Sequence, residues 1–384
     1  MKLKLIKLIC ILYIYNFIFA NTNSLFFSFT QQIGELTALI PPTVSTNNLP
    51  NEVVVSPDGL NVYVSGFGNN GTVSQFSRDK RTGFLTPLYP STVDSVSGLG
   101  GIAISSDGKN VYVTNQGDDL FSEGTLTQFS RNEETGQLTK MGDAILVGNQ
   151  PCSIILTSDG ENAYIINFGS NTISQFSRNN TTGLLTPLDP VTVKTEYAPR
   201  IIAISPDDKN VYVANYISGS LSQYNRSKTT GQLVKVTNAP IRETSTGIAI
   251  SRDGLDVYVI NTNDTVYHLK RNQNTGELTT IGKYPTLTNS NEIIISPDGL
   301  NVYIDSSDYS NNIANISQYN RNIMTGELTP LTKNIIPVGS ATIGGTTISP
   351  DGLNVYLINY NSNTVSQFSR NLVANYQWVE LISI

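Results

Sequence analysis

Three charged residues stand at equivalent places in a repeated sequence, and together they could carry out acid–base chemistry. Arg200, Glu52 and Glu292 each precede the aspartate of a Ser-Pro-Asp turn by six or seven residues. A carboxylate withdrawn from water can act as a general base that activates a water molecule. An arginine beside it can stabilise an oxyanion. The alternative is that all three are ordinary solvated charges, partly paired with their neighbours.

Asparagines form a second candidate set, because they close five of the seven copies of a repeated Tyr-containing strand. A ring of amide groups could bind a sugar or a peptide, and Asn215 is our candidate binding residue from this set. Asparagine also satisfies backbone groups at strand ends without any ligand, so a purely structural role is the alternative. The five residues are Asn115, Asn167, Asn215, Asn261 and Asn359.

No residue pattern indicates a metal or a cofactor. Two acidic pairs, Asp118 with Asp119 and Asp305 with Asp308, are placed by the repeat in its two longest loops. Their spacing is not that of an EF-hand calcium loop. The sequence also lacks a glycine-rich phosphate loop, a GxSxG nucleophile motif and a Cys/His pair. We therefore predict no metal site and no cofactor.

The element that must position these residues is a hairpin that the chain repeats seven times. Its first copy is Val53–Val64, in which a Ser-Pro-Asp-Gly turn joins two short apolar runs. A second hairpin follows in each unit, with a Ser-Gln-Phe-Ser-Arg strand, a five-residue turn and Gly-x-Leu-Thr. Four short strands per unit, repeated about every 48 residues, predict an all-β, seven-bladed β-propeller of four-stranded antiparallel blades.

The lengths of the connections distinguish the two faces of this propeller. We name the four strands of a unit A to D in chain order. The A–B and C–D turns keep a constant length, whereas the B–C and D–A loops vary. Because alternate connections lie at opposite ends of the strands, one face is a uniform scaffold and the other is variable. We expect function on the variable face, near the central channel.

The composition and the first 20 residues bear on location and partners. With a net charge of −6, a pI near 4.9 and no basic stripe, the chain is not expected to bind nucleic acid. Residues 1–20 place three lysines ahead of an apolar run, the layout of a signal peptide. We predict an exported protein, periplasmic or secreted, with no membrane span after removal of the signal. Alternatively, Leu12–Asn16 matches the end of the repeated strand and could be a propeller strand.

Residues 21–50 contain a surplus half-repeat, and residues 51–384 hold the seven full units. The strand Glu35–Leu39 either replaces a degenerate last D strand, expected near Gln377–Ser383, or lies outside the ring as an extra edge. Closing the ring with strands from both termini would remove a free sheet edge. An eight-bladed ring would require that residues 11–39 are all retained.

The repeats resemble the seven-bladed lactonase β-propeller family, which is also described by its YVTN repeat and includes 6-phosphogluconolactonase-like proteins. The literal string occurs once, at Tyr112–Asn115, and the resemblance covers about residues 25–384. It implies lactone chemistry, with His, Arg and Glu at the channel mouth. The corresponding positions before the seven turns read Asn51, Gly100, Cys152, Arg200, Thr246, Asn291 and Gly344.

The catalytic residues implied by the resemblance are only partly present. Arg200 is kept, but Ile201 and Cys152 stand where histidines are expected, and Tyr216 stands where a glutamate is expected. The single histidine, His268, is placed in a C strand away from the channel.

Two hypotheses follow. The first is an exported scaffold, expected to be a monomer, that binds a protein or a glycan on its variable face, with Asn51, Asn291, Tyr216 and Asn215 as binding residues. The second is a lactonase with an altered active site, in which Arg200 acts with Glu52 or Glu292.

Overall fold

The computed structural model describes residues 26–46, 49–67, 71–96, 98–117, 122–239, 241, 244–308, 310–340, 344–373 and 375–379. The expected signal peptide at residues 1–20 lies outside this part of the chain, as do Asp118 and Asp119. Every regular element of the described residues is a β-strand. No helix in this part of the chain has the length and apolar character needed to cross a membrane.

The first strands of the chain lead into blades 1 to 3. In chain order they are β1 (Phe26–Gln31), β2 (Leu36–Ser45), β3 (Pro50–Val55), β4 (Asn61–Gly66), β5 (Thr72–Arg78), β6 (Leu85–Asp94), β7 (Leu99–Ile104), β8 (Asn110–Asn115), β9 (Glu123–Arg131), β10 (Leu138–Lys140), β11 (Ile145–Asn149), β12 (Pro151–Leu156), β13 (Asn162–Asn167), β14 (Thr172–Arg178) and β15 (Leu185–Lys194).

Blades 4 to 7 and the C-terminal strand follow. They are β16 (Pro199–Ile204), β17 (Asn210–Asn215), β18 (Ser220–Arg226), β19 (Leu233–Ala239), β20 (Ser245–Ile250), β21 (Asp256–Asn261), β22 (Thr265–Arg271), β23 (Leu278–Pro285), β24 (Ser290–Ile295), β25 (Asn301–Asp308), β26 (Ile313–Arg321), β27 (Leu328–Gly339), β28 (Thr346–Ile348), β29 (Asn354–Asn359), β30 (Thr364–Arg370) and β31 (Asn375–Val379).

All of these strands except β1 and β31 form seven antiparallel sheets, so the predicted seven-bladed fold is confirmed. Blade 1 is β3-β4-β5-β6, and the other blades follow the same order. In blade 2 the outer strand is interrupted, and β10 and β11 both pair with β9. The buried apolar clusters each combine residues of neighbouring blades, for example Val64 of blade 1 with Tyr356 of blade 7. The core is therefore the set of interfaces between blades.

The ring is closed by a strand from the N-terminal half-repeat. β2 pairs with β30 and supplies the fourth strand of blade 7, in the order β2-β30-β29-β28. β31, which includes part of the segment expected to be the last D strand, instead pairs with β1 in a separate two-stranded sheet. Of the two alternatives, replacement of the last D strand by the strand that contains Glu35–Leu39 is the one observed, and residues 377–379, the described part of Gln377–Ser383, do not belong to blade 7. β2 takes that place because the apolar and polar pattern of Leu36–Ser45 matches the other outer strands.

The repeated turn is held by its own side chains. In the first copy, Ser56 Oγ donates to Asp58 Oδ1 at 2.5 Å, and the same Oδ1 accepts the N–H of Leu60 at 2.9 Å. Gly59 has a φ of +71°, which glycine adopts without strain. The hydrogen bonds that shape the Ser-Pro-Asp-Gly turn therefore lie within the turn itself.

The repeated tyrosine and arginine join each blade to the next. Tyr63 Oη donates to the carbonyl of Gly136 in blade 2 at 2.5 Å. Arg131 of blade 2 donates from Nε to the same Oη at 3.1 Å and forms a 2.6 Å ion pair with Asp58. Equivalent tyrosine-to-glycine bonds occur at all seven interfaces, made by Tyr63, Tyr112, Tyr164, Tyr212, Tyr258, Tyr303 and Tyr356.

Blade 5 departs from this pattern in two coupled positions. Asp256 replaces the asparagine that begins the other B strands, and His268 replaces the glutamine of the C strands. His268 Nε2 lies 2.9 Å from Asp256 Oδ1, and its ring stacks on Tyr258 at 4.8 Å. The pair is buried at the interface with blade 6, so His268 lies in the scaffold.

Candidate functional site

Bulges in the A strands set the direction of several side chains at the channel mouth. Strands β3, β12, β16 and β20 each carry one residue more than their B-strand partners at the end nearest the axis. A bulge leaves the extra residue unpaired and turns its side chain. The extra residues are Asn51, Cys152, Arg200 and Thr246. In β24 the same irregularity sets Asn291 and Glu292 opposite the single residue Asp305.

The backbone before these bulges is held in an unusual conformation. Leu49, Gln150 and Ala198 have φ values of 52°, 49° and 58°, although none is glycine. The carbonyl of each accepts the main-chain N–H of the residue that follows the neighbouring B strand, for example Tyr216 N to Ala198 O at 2.7 Å. Left-handed conformations of such residues are uncommon and tend to occur at functional sites.

The bulged residues and their neighbours enclose a cavity of about 210 Å³ on the channel axis. Its lining combines two carboxyl groups, one guanidinium, one thiol and several neutral polar groups. The lining residues are Asn51, Glu52, Gln116, Cys152, Ser153, Arg200, Ile201, Thr246, Asn291, Glu292, Gly344 and Gly345. The three residues that the sequence nominated for acid–base chemistry are therefore brought into one cavity.

Each glutamate is fixed by main-chain N–H groups of the following blade. Glu52 Oε2 accepts from Ile102 at 2.8 Å, and Glu292 Oε2 accepts from Gly345 and Thr346 at 2.7 and 2.6 Å. This approach depends on glycine in the facing strand, since a Cβ added at Gly101 would lie 3.1 Å from Glu52 Oε2. Within the described residues, Oε1 of neither glutamate has a protein hydrogen-bond partner, so these oxygens are available to a molecule in the cavity.

The two glutamates hold protons unusually tightly. Burial and the negative charge of Glu292 together raise the pKa of Glu52 to about 8, against the opposing effect of the Ile102 hydrogen bond. Burial also raises the pKa of Glu292, against its two main-chain hydrogen bonds. A carboxyl group that changes charge close to neutral pH is suited to general acid–base catalysis.

Asp305 is a third carboxyl of this cluster, and the sequence analysis was wrong to place it in a loop. It lies in β25, is 0% exposed, and accepts the N–H of Glu292 on Oδ1 at 2.8 Å. Burial and the charge of Glu292 raise its pKa to about 7. The sequence did carry a signal, because the equivalent position, two residues after the B-strand tyrosine, holds an uncharged residue in the other blades: Ser65, Thr114, Ile166, Ala214, Ile260 and Ile358.

Arg200 lines the same cavity as Glu52 and Glu292. Its guanidinium carbon is 5.4 Å from the centroid of the Tyr216 ring, a cation–π contact. Within the described residues no carboxylate lies within 4 Å of Arg200. Tyr216, which the sequence analysis named as a binding residue, belongs to a groove that adjoins the cavity. The positive charge of Arg200 is therefore available to an anionic group of a ligand.

Cys152 lies between the opposite charges of the cavity. Its Sγ is 3.4 Å from the carbonyl of Arg200. Burial raises the pKa of the thiol to about 12, while Arg200 lowers it and Glu52 raises it. A thiol with this pKa is not a nucleophile at neutral pH.

The nominated asparagines differ in their placement. Asn51 and Asn291 line the cavity, but their amide nitrogens donate to the protein, Asn51 to Gly100 O at 2.9 Å and Asn291 to Asp305 Oδ2 at 3.3 Å. Asn215 is 0% exposed and does not line the cavity. Its Nδ2 donates to Ser222 Oγ at 2.9 Å, which holds the end of its own hairpin. In the part of the chain that the structure describes, no group of three or more His, Cys, Asp or Glu is arranged to hold a metal ion.

Comparison with known proteins shows that other proteins share the fold that carries this site. The family model described as lactonase, seven-bladed β-propeller, matches residues 70–196, 148–246 and 237–344. No curated protein matches the chain in sequence.

Three solved structures illustrate the similarity of fold. The periplasmic gluconolactonase of Pseudomonas aeruginosa has a TM-score of 0.67 at 16% identity, covering 84% of this chain and 94% of that one. A Bacteroides fragilis protein provisionally assigned as a 6-phosphogluconolactonase has a TM-score of 0.64 at 24% identity, covering 76% and 85%. A Bacteroides uniformis protein with the same provisional assignment has a TM-score of 0.64 at 22% identity, covering 76% and 86%. At these identities the likeness shows the fold alone.

Proposed function

Because the chain belongs to the lactonase, seven-bladed β-propeller family, we propose that it hydrolyses a lactone in the central cavity. Glu52 acts as the general base, and Arg200 stabilises the oxyanion. The observation that carries this proposal is the pairing, in one small cavity, of a carboxyl group whose pKa is raised to about 8 with a guanidinium that has no carboxylate partner among the described residues. The names of the solved relatives, gluconolactonase and 6-phosphogluconolactonase, agree with this class of substrate.

The chemistry is a water-dependent opening of a cyclic ester. Ionised Glu52 takes a proton from water through Oε1 while the water oxygen bonds to the lactone carbonyl carbon. The carbonyl electron pair moves to its oxygen, and the resulting negative charge is stabilised by Arg200. When the carbonyl re-forms, the bond to the ring oxygen breaks, and that oxygen takes the proton back from Glu52. The product is a hydroxy acid. Glu292 contributes the charge that keeps the pKa of Glu52 high.

The test is the rate of lactone opening by the purified chain, measured by titration of the released acid and corrected for the rate in buffer. The panel includes glucono-1,5-lactone and 6-phosphoglucono-1,5-lactone. Arg200→Ala should lower kcat by about 10²-fold or more, and Glu52→Gln should lower it similarly. Arg252→Ala, which removes an exposed arginine of the scaffold face, is the matched control and should keep the wild-type rate. The proposal is wrong if no lactone opens faster than in buffer.

Non-catalytic binding on the variable face is the second candidate function. It is favoured by the replacement of the expected histidines and glutamate by Ile201, Cys152 and Tyr216. A chain of this kind would bind lactones or their acids in calorimetry without turning them over. Binding that survives Glu52→Gln, in the absence of any catalysed opening, would favour this function.

We also propose that the protein is exported, on the basis of the signal-peptide layout of residues 1–20. The test is N-terminal sequencing of the protein recovered from the cell envelope or the medium. A mature chain that begins near residue 21 is expected. A full-length chain confined to the cytoplasm would contradict the proposal.

A further inference from the structure

A second groove opens directly beside the cavity, between blades 3 and 4. Its volume is about 400 Å³, roughly twice that of the cavity, and it shares three lining residues with it: Gln116, Cys152 and Arg200. Gln150, Phe168 and Tyr216 complete its wall. A ligand in the cavity could therefore extend into this groove without leaving the protein surface.

Two aromatic residues line this groove, and they occupy equivalent positions of the repeat in neighbouring blades. Phe168 and Tyr216 are the first residues after strands β13 and β17. Their main-chain N–H groups donate to Gln150 O at 3.0 Å and to Ala198 O at 2.7 Å, which fixes both residues at the same height in neighbouring blades. Both side chains are partly exposed. Phe67 follows β4 at the equivalent place in blade 1, with its N–H bonded to Leu49 O at 2.8 Å, but it lines neither the groove nor the cavity.

The polar groups of the groove are neutral amides rather than charges. Within the described residues, the side chains of Gln116 and Gln150 make no protein hydrogen bond, so their amide groups can donate to and accept from a ligand. Among the described residues that line the groove none is acidic, and their one cation, Arg200, is shared with the cavity. Aromatic faces beside free amides suit a ring with apolar C–H faces and a rim of hydroxyl groups. A pyranose has this character.

We propose that this groove is a subsite for a second sugar ring, so that the substrate is an aldonolactone bearing a further, glycosidically linked hexose. The lactone ring lies in the cavity, and the second hexose stacks on Phe168 and Tyr216 while its hydroxyl groups contact Gln116 and Gln150. This inference rests on the proposed function, since it assigns the cavity to the lactone.

The experiment compares kcat/KM for cellobiono-1,5-lactone and lactobiono-1,5-lactone with that for glucono-1,5-lactone. The wild-type chain should prefer a disaccharide lactone by about tenfold or more. Phe168→Ala should remove about tenfold of this preference, which corresponds to the loss of one stacked ring. Phe67→Ala, the matched aromatic of blade 1, should leave the ratio unchanged. A wild-type chain with no preference, or a Phe168→Ala variant with the wild-type ratio, would overturn the proposal.

Failure of the proposed function can be told apart from failure of the subsite. If no lactone is opened, calorimetry with cellobionate and gluconate tests the groove directly. Tighter binding of cellobionate, weakened about tenfold by Phe168→Ala but not by Phe67→Ala, would support the subsite. Equal affinity for the two acids, or no binding of either, would exclude it. Gln150→Ala replaces Phe168→Ala if circular dichroism shows that the latter is unfolded, with the same expected loss of preference.

Discussion

The main-chain N–H of Glu292 donates a 2.8 Å hydrogen bond to Oδ1 of Asp305, a carboxyl that is wholly buried in the neighbouring strand. The two residues stand where the bulge of β24 sets two residues against one. Each carries a carboxyl whose pKa is raised by burial, and the charge of Glu292 raises that of Asp305 further. The register of β24 and β25 therefore brings together two residues whose carboxyl groups have raised pKa values.

Buried acids and paired aspartates act on stability in opposite pH ranges. The pKa of Asp305 rises from 3.8 to about 7 on folding, so the unfolded chain loses this proton first, and stability falls as the pH rises from about 4 to about 7. Hydrogen bonds and Arg131 lower the pKa of Asp58 below 3.8, so its stabilising contribution is lost as the pH falls through that lower value. We expect maximum stability near pH 4 to 5.

Denaturant unfolding between pH 3 and pH 9 measures this profile. Asp305→Asn should make the decline above pH 4 shallower, because one of the three buried acids with raised pKa values is removed while Glu52 and Glu292 remain. Asp58→Asn should make the decline on the acid side slightly shallower, because five other turn aspartates with lowered pKa values still contribute, and should leave the other limb intact. Identical profiles for the wild type and Asp305→Asn would show that Asp305 does not titrate in this range.

The rate of lactone opening should rise with pH through an apparent pKa near 8. Glu52 is active as a base only when ionised, and burial together with Glu292 sets its pKa at about 8. Glu292→Gln removes the neighbouring charge and should shift the midpoint of the profile to lower pH. The measurement is kcat/KM from pH 5.5 to pH 9, corrected for the buffer rate. A midpoint that does not move would show that Glu292 does not influence the base.

Closure of the ring should depend on β2 and not on β1. Leu36 N donates to Gln318 Oε1 at 2.8 Å and Tyr303 Oη donates to Gly34 O at 2.6 Å, which tie β2 and its turn to blade 6. Removing residues 1–46 exposes β30 as a free edge and should lower Tm by about 10 °C or more. Removing residues 1–33 is the matched control and should keep Tm near that of the full chain. Equal Tm values for the two truncations would contradict this role of β2.

The replacements in blade 5 should be energetically coupled. His268 Nε2 lies 2.9 Å from Asp256 Oδ1, and Asp256 also pairs with Lys270 and Arg321. Against the effect of burial, the hydrogen bonds with His268, Lys270 and Arg321 lower the pKa of Asp256 to about 2. Asp256→Asn or His268→Gln alone leaves one partner of the pair without the other. The double variant restores the asparagine and glutamine of the other blades. We expect a coupling free energy of about 1 kcal/mol in a double-mutant cycle.

A cycle between His268→Gln and Tyr63→Phe, on different blades, serves as the control. It should be additive within about 0.5 kcal/mol. If the coupling free energy of Asp256 and His268 is no larger than that of the control, the contact between them contributes nothing measurable to stability.

The fold could be predicted from the sequence because its determinants are local and repeated. Asp58 bonds within its own turn, Gly59 takes its positive φ there, and Tyr63 follows Asp58 by five residues, a spacing that every blade keeps. A short motif with its own hydrogen bonds can be recognised without knowledge of its surroundings, and seven copies leave few alternatives to a ring.

The tertiary structure alone decided which residues meet and how they ionise. The sequence nominated Glu52, Glu292 and Arg200, but their common cavity depends on A-strand bulges, and a shift of one residue redirects a side chain. It placed Asn215 among the binding residues and Asp305 in a loop, whereas both are fully buried in strands. The raised pKa of Glu52 depends in part on Glu292, a residue far away in the sequence that the closed ring brings near. The burial of these carboxyl groups and the effect of one charge on another arise only in the closed ring, so no local sequence pattern encodes them.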